Sequence, residues 1–115
     1  LTGCGHPTIG VILRMVRRLS DDPLYAVGGG LHLPITRSRG QRLGLQTQQV
    51  FGTGKQVWRR IDEGDLLRTI RELNRAAPRK LLLSAHDSCD HALERLACEV
   101  DADVEVFRAG ATYEL

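Results

Sequence analysis

Apolar residues recur along the chain with two different periods, and the alternation of those periods outlines an α/β fold. Ile9, Ile12, Leu13, Val16 and Leu19 fall at helical spacing, with Arg14, Arg17 and Arg18 between them. Asp21, Asp22 and Pro23 predict the stop of that helix, and Leu24-Tyr25-Ala26-Val27 reads as a short strand. Gly28-Gly29-Gly30 ends the strand in backbone geometry that bulkier residues resist. A second helix is predicted from Asp65 to Ala77, with Leu66, Leu67, Ile70 and Leu73 inward and Pro78 just beyond it. Lys80-Leu81-Leu82-Leu83-Ser84 reads as a buried strand. Ser88 or Asp90 is placed to cap a third helix that uses Leu93, Leu96, Ala97 and Val100. Val104 to Phe107 and Ala111 to Leu115 predict two short closing strands, and Leu1 to Gly3 reads as the end of a strand that begins upstream. Residues 36–63 show no sustained period and are rich in Gly, Gln and Arg. They predict a long irregular loop, of a length that compact domains usually reserve for function.

Strand–helix alternation of this kind predicts a sheet with helices on one face, and in such sheets the loops after the C-terminal strand ends carry the chemistry. The loops so placed begin at Cys4, at His32 and at His86.

Composition narrows the possibilities without naming a function. The 115 residues are 42% apolar and 26% charged, with a formal net charge of +2, which suits one ordinary domain or a piece of a larger one. Arginines at 14, 17 and 18, and at 68, 71 and 75, alternate with apolar positions and read as solvated helix faces. With that charge pattern and Trp58 as the single Trp, nothing points to nucleic acid. No apolar run approaches the roughly 18 residues of a membrane span, and Leu1-Thr2-Gly3-Cys4 is no charged signal-peptide start. Cys4, Cys89 and Cys98 are an odd set, which argues against a disulfide framework and for a reducing, cytoplasmic setting.

Three clusters have the residue types that chemistry needs. Thr2-Gly3-Cys4-Gly5-His6-Pro7 puts a thiol and an imidazole two residues apart, ahead of a helix whose unpaired N–H groups favour thiolate, the metal-binding form. The same pair also suits a small buried Cys beside a locally bonded His. His32 sits between leucines after the glycine run, a setting that fits a packed core histidine as well as a ligand. Leu83-Ser84-Ala85-His86-Asp87-Ser88-Cys89-Asp90 delivers His, Asp, Ser and Cys from a strand end, a good place for a metal ligand and equally a helix cap. Cys89 and His91 are read as structural and Cys98 as a packing residue. Gly52-Thr53-Gly54-Lys55 does not complete a phosphate loop, because Gln49 and Gln56 stand where that pattern needs Gly and Ser or Thr.

Taken in order, TGCGHPTI at 2–9, YAVGGGLHLP at 25–34 and SAHDSCD at 84–90 resemble the metallo-β-lactamase superfamily. The resemblance is to the branch typified by β-ribofuranosylaminobenzene 5′-phosphate synthase-like dihydropterin proteins. GTGKQVW at 52–58 and the closing RAGATYEL are similar to further parts of that branch, so the resemblance runs nearly end to end. It implies that residues 1–115 are the C-terminal half of one domain, half of an αββα sandwich: one mixed β-sheet layer with flanking helices. It implies metal ligation by Cys4 and His86, catalytic roles in orienting substrate or passing protons for His32 and His6, and substrate contacts from Asp87 and Ser88. Zinc, iron or manganese is the implied metal, with two ions in the complete domain and hydrolysis of an ester or phosphoester by metal-bound hydroxide. The superfamily's H-x-H-x-D-H ligand set belongs to the N-terminal half and is absent here. Gly5, Thr8 and Cys89 also depart from the branch pattern, which leaves the substrate open. The chain alone is therefore expected to be inactive, and to associate with the missing half or with itself through an exposed sheet face. A reading of another class stands beside this one: a non-catalytic α/β module that binds a partner or a small anion at Gly28 to Gly30.

Overall fold

The computed structural model describes residues 1–35, 61–86 and 88–114. Most of the predicted loop, the motif at 52–58 and Asp87 lie outside them. The elements follow in the order α1 (Ile9–Leu19), β1 (Ala26–Gly29), α2 (Glu63–Ala76), β2 (Lys80–Leu83), α3 (Asp90–Glu99) and β3 (Asp103–Val106). The strands form one sheet in the order β1-β2-β3, with Val27 beside Leu81 and Leu81 beside Val104. Both pairings are parallel, so the described sheet is not the mixed one expected. The connections explain this, because each passes through a helix and a helical crossover returns the chain in the same direction. β1 also runs through Gly29 instead of stopping at Val27, since Gly28 and Gly29 keep register with Leu82 and Leu83.

Side chains alternate across the strands. Val27, Leu81 and Leu83 face the helices and join Leu13, Leu66, Leu73 and Leu96 in one core. Leu66, Leu73, Leu81 and Leu96 have no exposed surface. α2 begins two residues before its predicted start because Asp62 and Asp65 form a reciprocal capping box: the Asp65 N–H donates to Asp62 Oδ1 and the Asp62 N–H to Asp65 Oδ2. Its inward stripe is Leu66, Thr69, Ile70 and Leu73. The expected Leu67 is 41% exposed, because the 3.6-residue period places Thr69 in the core instead. α1 buries Ile9 and Leu13, whereas Val16 and Leu19, expected inward, are exposed. The last turn of that helix extends past the core that its first turns cover. On α3, Ala92 and Leu96 form the buried line, so Ala97 and Cys98 face outward, against the packing role expected of Cys98. Neither Ser88 nor Asp90 caps α3; Cys89 is the N-cap and makes no side-chain capping bond.

The second sheet face carries polar as well as apolar residues. It carries Gly28, Leu82 and Glu105 in one row and Ala26, Lys80 and Asp103 in the next. Lys80 Nζ lies 3.7 Å from Asp103 Oδ2 and 3.5 Å from Glu105 Oε1, and donates to the Glu114 carbonyl at 2.7 Å. Residues 111–114 therefore do not form the closing strand predicted for them. The Arg108 N–H donates to Tyr113 Oη at 2.6 Å, Tyr113 Oη donates to the Val106 carbonyl, and the Phe107 and Tyr113 rings meet edge to face. This folds the segment back beside β3 instead of extending it.

Candidate functional site

The N-terminal residues are held against β1 by backbone and side chain together. The Thr2 N–H donates to the Gly28 carbonyl at 2.8 Å and the Gly30 N–H to the Gly3 carbonyl at 2.6 Å. Thr2 Oγ1 lies 3.2 Å from the Gly28 carbonyl oxygen and 3.0 Å from that of Gly30. The segment thus runs alongside β1 in the same direction, although it does not form the strand end predicted for Leu1 to Gly3. Gly5 then crosses the end of β1 at a distance that admits no side chain. A Cβ on Gly5 would sit 2.2 Å from the Gly30 carbonyl oxygen, and its φ of +70° is one that L residues rarely adopt.

The N-terminal segment and β2 flank β1 and end in loops at the same end, which brings distant residues together. Cys4 leaves the segment beside β1, and His86 leaves β2 three residues after Leu83. Cys4 Sγ lies 3.8 Å from His86 Nε2. Ser84 Oγ lies 3.2 Å from the other ring nitrogen, Nδ1. When Nδ1 carries the proton it donates to Ser84, and the Nε2 lone pair is directed at the thiol. Histidine ligands of metals are commonly held in this way by an outer partner. Ser84 is not among the site residues predicted from the sequence, although it opens the motif at 84–90.

The spacing of the pair can be compared with a metal directly. Zinc bonds of about 2.3 Å to sulfur and about 2.0–2.1 Å to nitrogen, opened to about 109°, set the two donor atoms about 3.6 Å apart. The observed 3.8 Å matches that separation, and thiolate with imidazole is a donor set suited to zinc. Cys4 is half-buried and His86 exposed, so the pair faces outward. Among the described residues no group of three or more His, Cys, Asp or Glu is arranged to hold a metal ion, so the pair is half of a coordination shell at most.

His6 and His32 form a second pair, their ring centroids 4.4 Å apart and tilted by 53°. His32 is 6% exposed and has a φ of +50°, an unusual conformation for a residue with a Cβ. Both rings line a cavity on the helix side of the sheet, and the described walls of that cavity include neither Cys4 nor His86. Ser88, expected to touch substrate, is buried, and its Oγ accepts the Leu33 N–H at 3.2 Å. It ties the His86 loop to the His32 segment. Cys89 is buried in the core, as a structural cysteine should be. His91 Nε2 lies 3.2 Å from Glu63 Oε2, and Arg95 bridges Glu63 and Glu99, so this cluster joins α2 to α3.

No protein-family model matches the chain, and no curated protein matches it significantly. Among solved structures it is similar to Tm1679, described as a metal-dependent hydrolase of the β-lactamase superfamily. The TM-score is 0.69 at 17% identity, over 98% of this chain and 34% of the other. The chain therefore shares the fold of part of that protein, and spans about a third of its length. At this identity the likeness establishes the fold alone. No helix among the described residues is long and apolar enough to cross a membrane.

Proposed function

We propose that the chain is the C-terminal part of a metal-dependent hydrolase of the metallo-β-lactamase superfamily, in which Cys4 and His86 hold one divalent metal. The observation that carries this reading is the Cys4–His86 separation of 3.8 Å between residues 82 apart in sequence. The fold likeness to a metal-dependent hydrolase supports it independently, and so do the three sequence motifs. A bound metal would activate water and polarise an ester or phosphoester oxygen. Cys4 would supply the thiolate, while Ser84 would fix the ring orientation of His86. His6 follows Cys4 by two residues, on the segment that Gly5 pins to Gly30, and with His32 it would position substrate or carry protons. Three thiols outside any disulfide support a reducing compartment, consistent with a cytoplasmic protein.

Two donors cannot complete a zinc site, which needs four ligands, or three and a water. The remaining donors would come from outside the described residues, whether from further polypeptide, as the one-third coverage of the structural neighbour suggests, or from a second copy. The dihydropterin-type branch would follow from the motifs alone. Zinc competition titration against a chromophoric chelator tests the site. The expected result is one weakly held zinc per chain, with affinity lowered roughly tenfold or more by Cys4→Ser and by His86→Ala and unchanged by Cys98→Ser. Zinc binding indifferent to Cys4→Ser, or no zinc binding, would favour a module that binds a partner or an anion without metal.

A further inference from the structure

The outer surface of α1 and α2 has a composition that the core does not require. α1 contains no acidic residue, and its Arg14, Arg17 and Arg18 are all exposed. On α2, Arg68, Arg71 and Arg75 fall at i, i+3 and i+7 and are exposed as well. The two helices pack on each other, and Arg14, Arg17, Arg18 and Arg75 line a groove between them. Asp65 and Glu72 sit deeper than the arginines they pair with: their side chains are 13% and 30% exposed, against 67% and 81% for Arg68 and Arg75. Asp21 and Asp22 stand beyond the C-terminal end of α1, and Asp22 accepts from Ser20 Oγ. Cations are therefore the outermost charges of this face. Beside them on α1 runs an apolar row that also meets solvent. Val11, Met15 and Leu19 recur every fourth residue and are 36%, 59% and 84% exposed. Complementing the helix dipole accounts for Arg17 and Arg18 in the last turn of α1, but not for Arg14, Arg68 or the apolar row.

We propose that this face of α1 and α2 docks on an anionic phospholipid bilayer. The arginines meet the acidic groups of the lipid heads, and Val11, Met15 and Leu19 enter the boundary between head groups and acyl chains. Charge and apolar row together select this occupant. A nucleic acid would use the cations but has no use for an aliphatic row, and neither helix carries an aromatic residue on which a base could stack. A second copy laid on the same face would set arginine against arginine. Contact of this kind needs no membrane-spanning helix. None of these residues belongs to the Cys4–His86 pair, so the docking face and the metal site stand or fall separately.

Co-sedimentation of the whole chain with large unilamellar vesicles tests it. Phosphatidylcholine vesicles with about 30% phosphatidylserine should carry the chain down, and pure phosphatidylcholine should bind it roughly tenfold more weakly. Arg18→Gln should weaken binding to the anionic vesicles roughly fivefold, whereas Arg108→Gln, the same loss of charge beyond β3, should change it by less than about twofold. Met15→Ser combined with Leu19→Ser keeps the charge and should weaken binding roughly tenfold, because the apolar row can no longer enter the bilayer. Both positions are exposed, so circular dichroism should show the fold intact. Cys4→Ser should leave vesicle binding unchanged. The proposal is overturned by equal binding to the two kinds of vesicle, by no binding to the anionic ones, or by binding that ignores the Met15 and Leu19 substitutions. Tighter binding to duplex DNA than to the anionic vesicles would also overturn it, as would a dimer in light scattering that Met15→Ser with Leu19→Ser dissolves.

Discussion

Replacing Gly5 by alanine probes the crossing that positions Cys4 and His6, and Gly3→Ala supplies the matched control. Both glycines have left-handed backbone, with φ of +70° and +58°. Adopting that conformation costs a residue with a Cβ roughly 1–2 kcal/mol, a term common to both substitutions. The surroundings then separate them. A Cβ on Gly3 meets nothing within 4 Å, whereas one on Gly5 falls 2.2 Å from the Gly30 carbonyl oxygen and 2.9 Å from Leu31 Cα. Those atoms are backbone, held by the Gly30 N–H bond to the Gly3 carbonyl, so they cannot turn aside as a side chain would. Forcing atoms into such a site adds roughly 1–3 kcal/mol. Gly3→Ala should therefore lose roughly 1–2 kcal/mol and Gly5→Ala roughly 2–5 kcal/mol. Urea unfolding followed by circular dichroism measures both. With a slope of about 1.5 kcal/mol per molar, the Gly5 midpoint should fall about 0.7–2 M below that of the Gly3 variant. Equal midpoints would refute the close approach of the Cys4 loop to β1.

The remaining predictions concern the loop behind His86 and the α3 surface. Ser88→Ala removes the acceptor of the buried Leu33 N–H and should cost about 1–3 kcal/mol, read by the same urea assay; a loss within error would show that this bond does not hold the two loops together. Glu99 is held below the usual carboxylate range, chiefly by its hydrogen bond from Arg95. Its lowered folded value means that the pair stabilises the fold above the unfolded carboxylate range and loses that contribution as pH falls through the lowered value. Glu99→Gln should therefore reduce the melting temperature slightly at neutral pH and not in acid, and a difference that grows in acid would contradict the assignment.

The parts of the fold that local sequence controls were legible in advance, and the parts set by distant contacts were not. The helical stripes at Leu66, Ile70 and Leu73 follow from a period of 3.6 residues, and the core strand at Leu81 to Leu83 from its apolar run. Leu67 and Leu19 look equally inward on paper. Their exposure depends on where the neighbouring elements end, which no local pattern encodes. The final residues likewise have strand-like composition, yet Lys80 and Val106 hold them turned back. At the site, parallel order brings Cys4 to His86, and strand-end loops made both residues visible as candidates. Thr2 and Ser84 lie inside the motifs at 2–9 and 84–90, but their roles stayed hidden because each acts through hydrogen bonds to neighbours that only the fold brings near or orients. The separation of His6 and His32 into a cavity on the helix side depends on how α1 and α2 pack, and no spacing in the sequence announces it.

A cobalt(II) titration followed by near-ultraviolet and visible absorption tests the central claim most directly, because cobalt bound to thiolate gives a sulfur-to-metal charge-transfer band that cobalt bound to nitrogen and oxygen alone does not. The wild-type chain should develop that band as cobalt is added, saturating at one cobalt per chain. His86→Ala should weaken it, Cys4→Ser should remove it, and Cys89→Ser and Cys98→Ser should retain it. A band that survives Cys4→Ser, or no band at any cobalt concentration, would contradict the assignment of Cys4 and His86 to a shared cation.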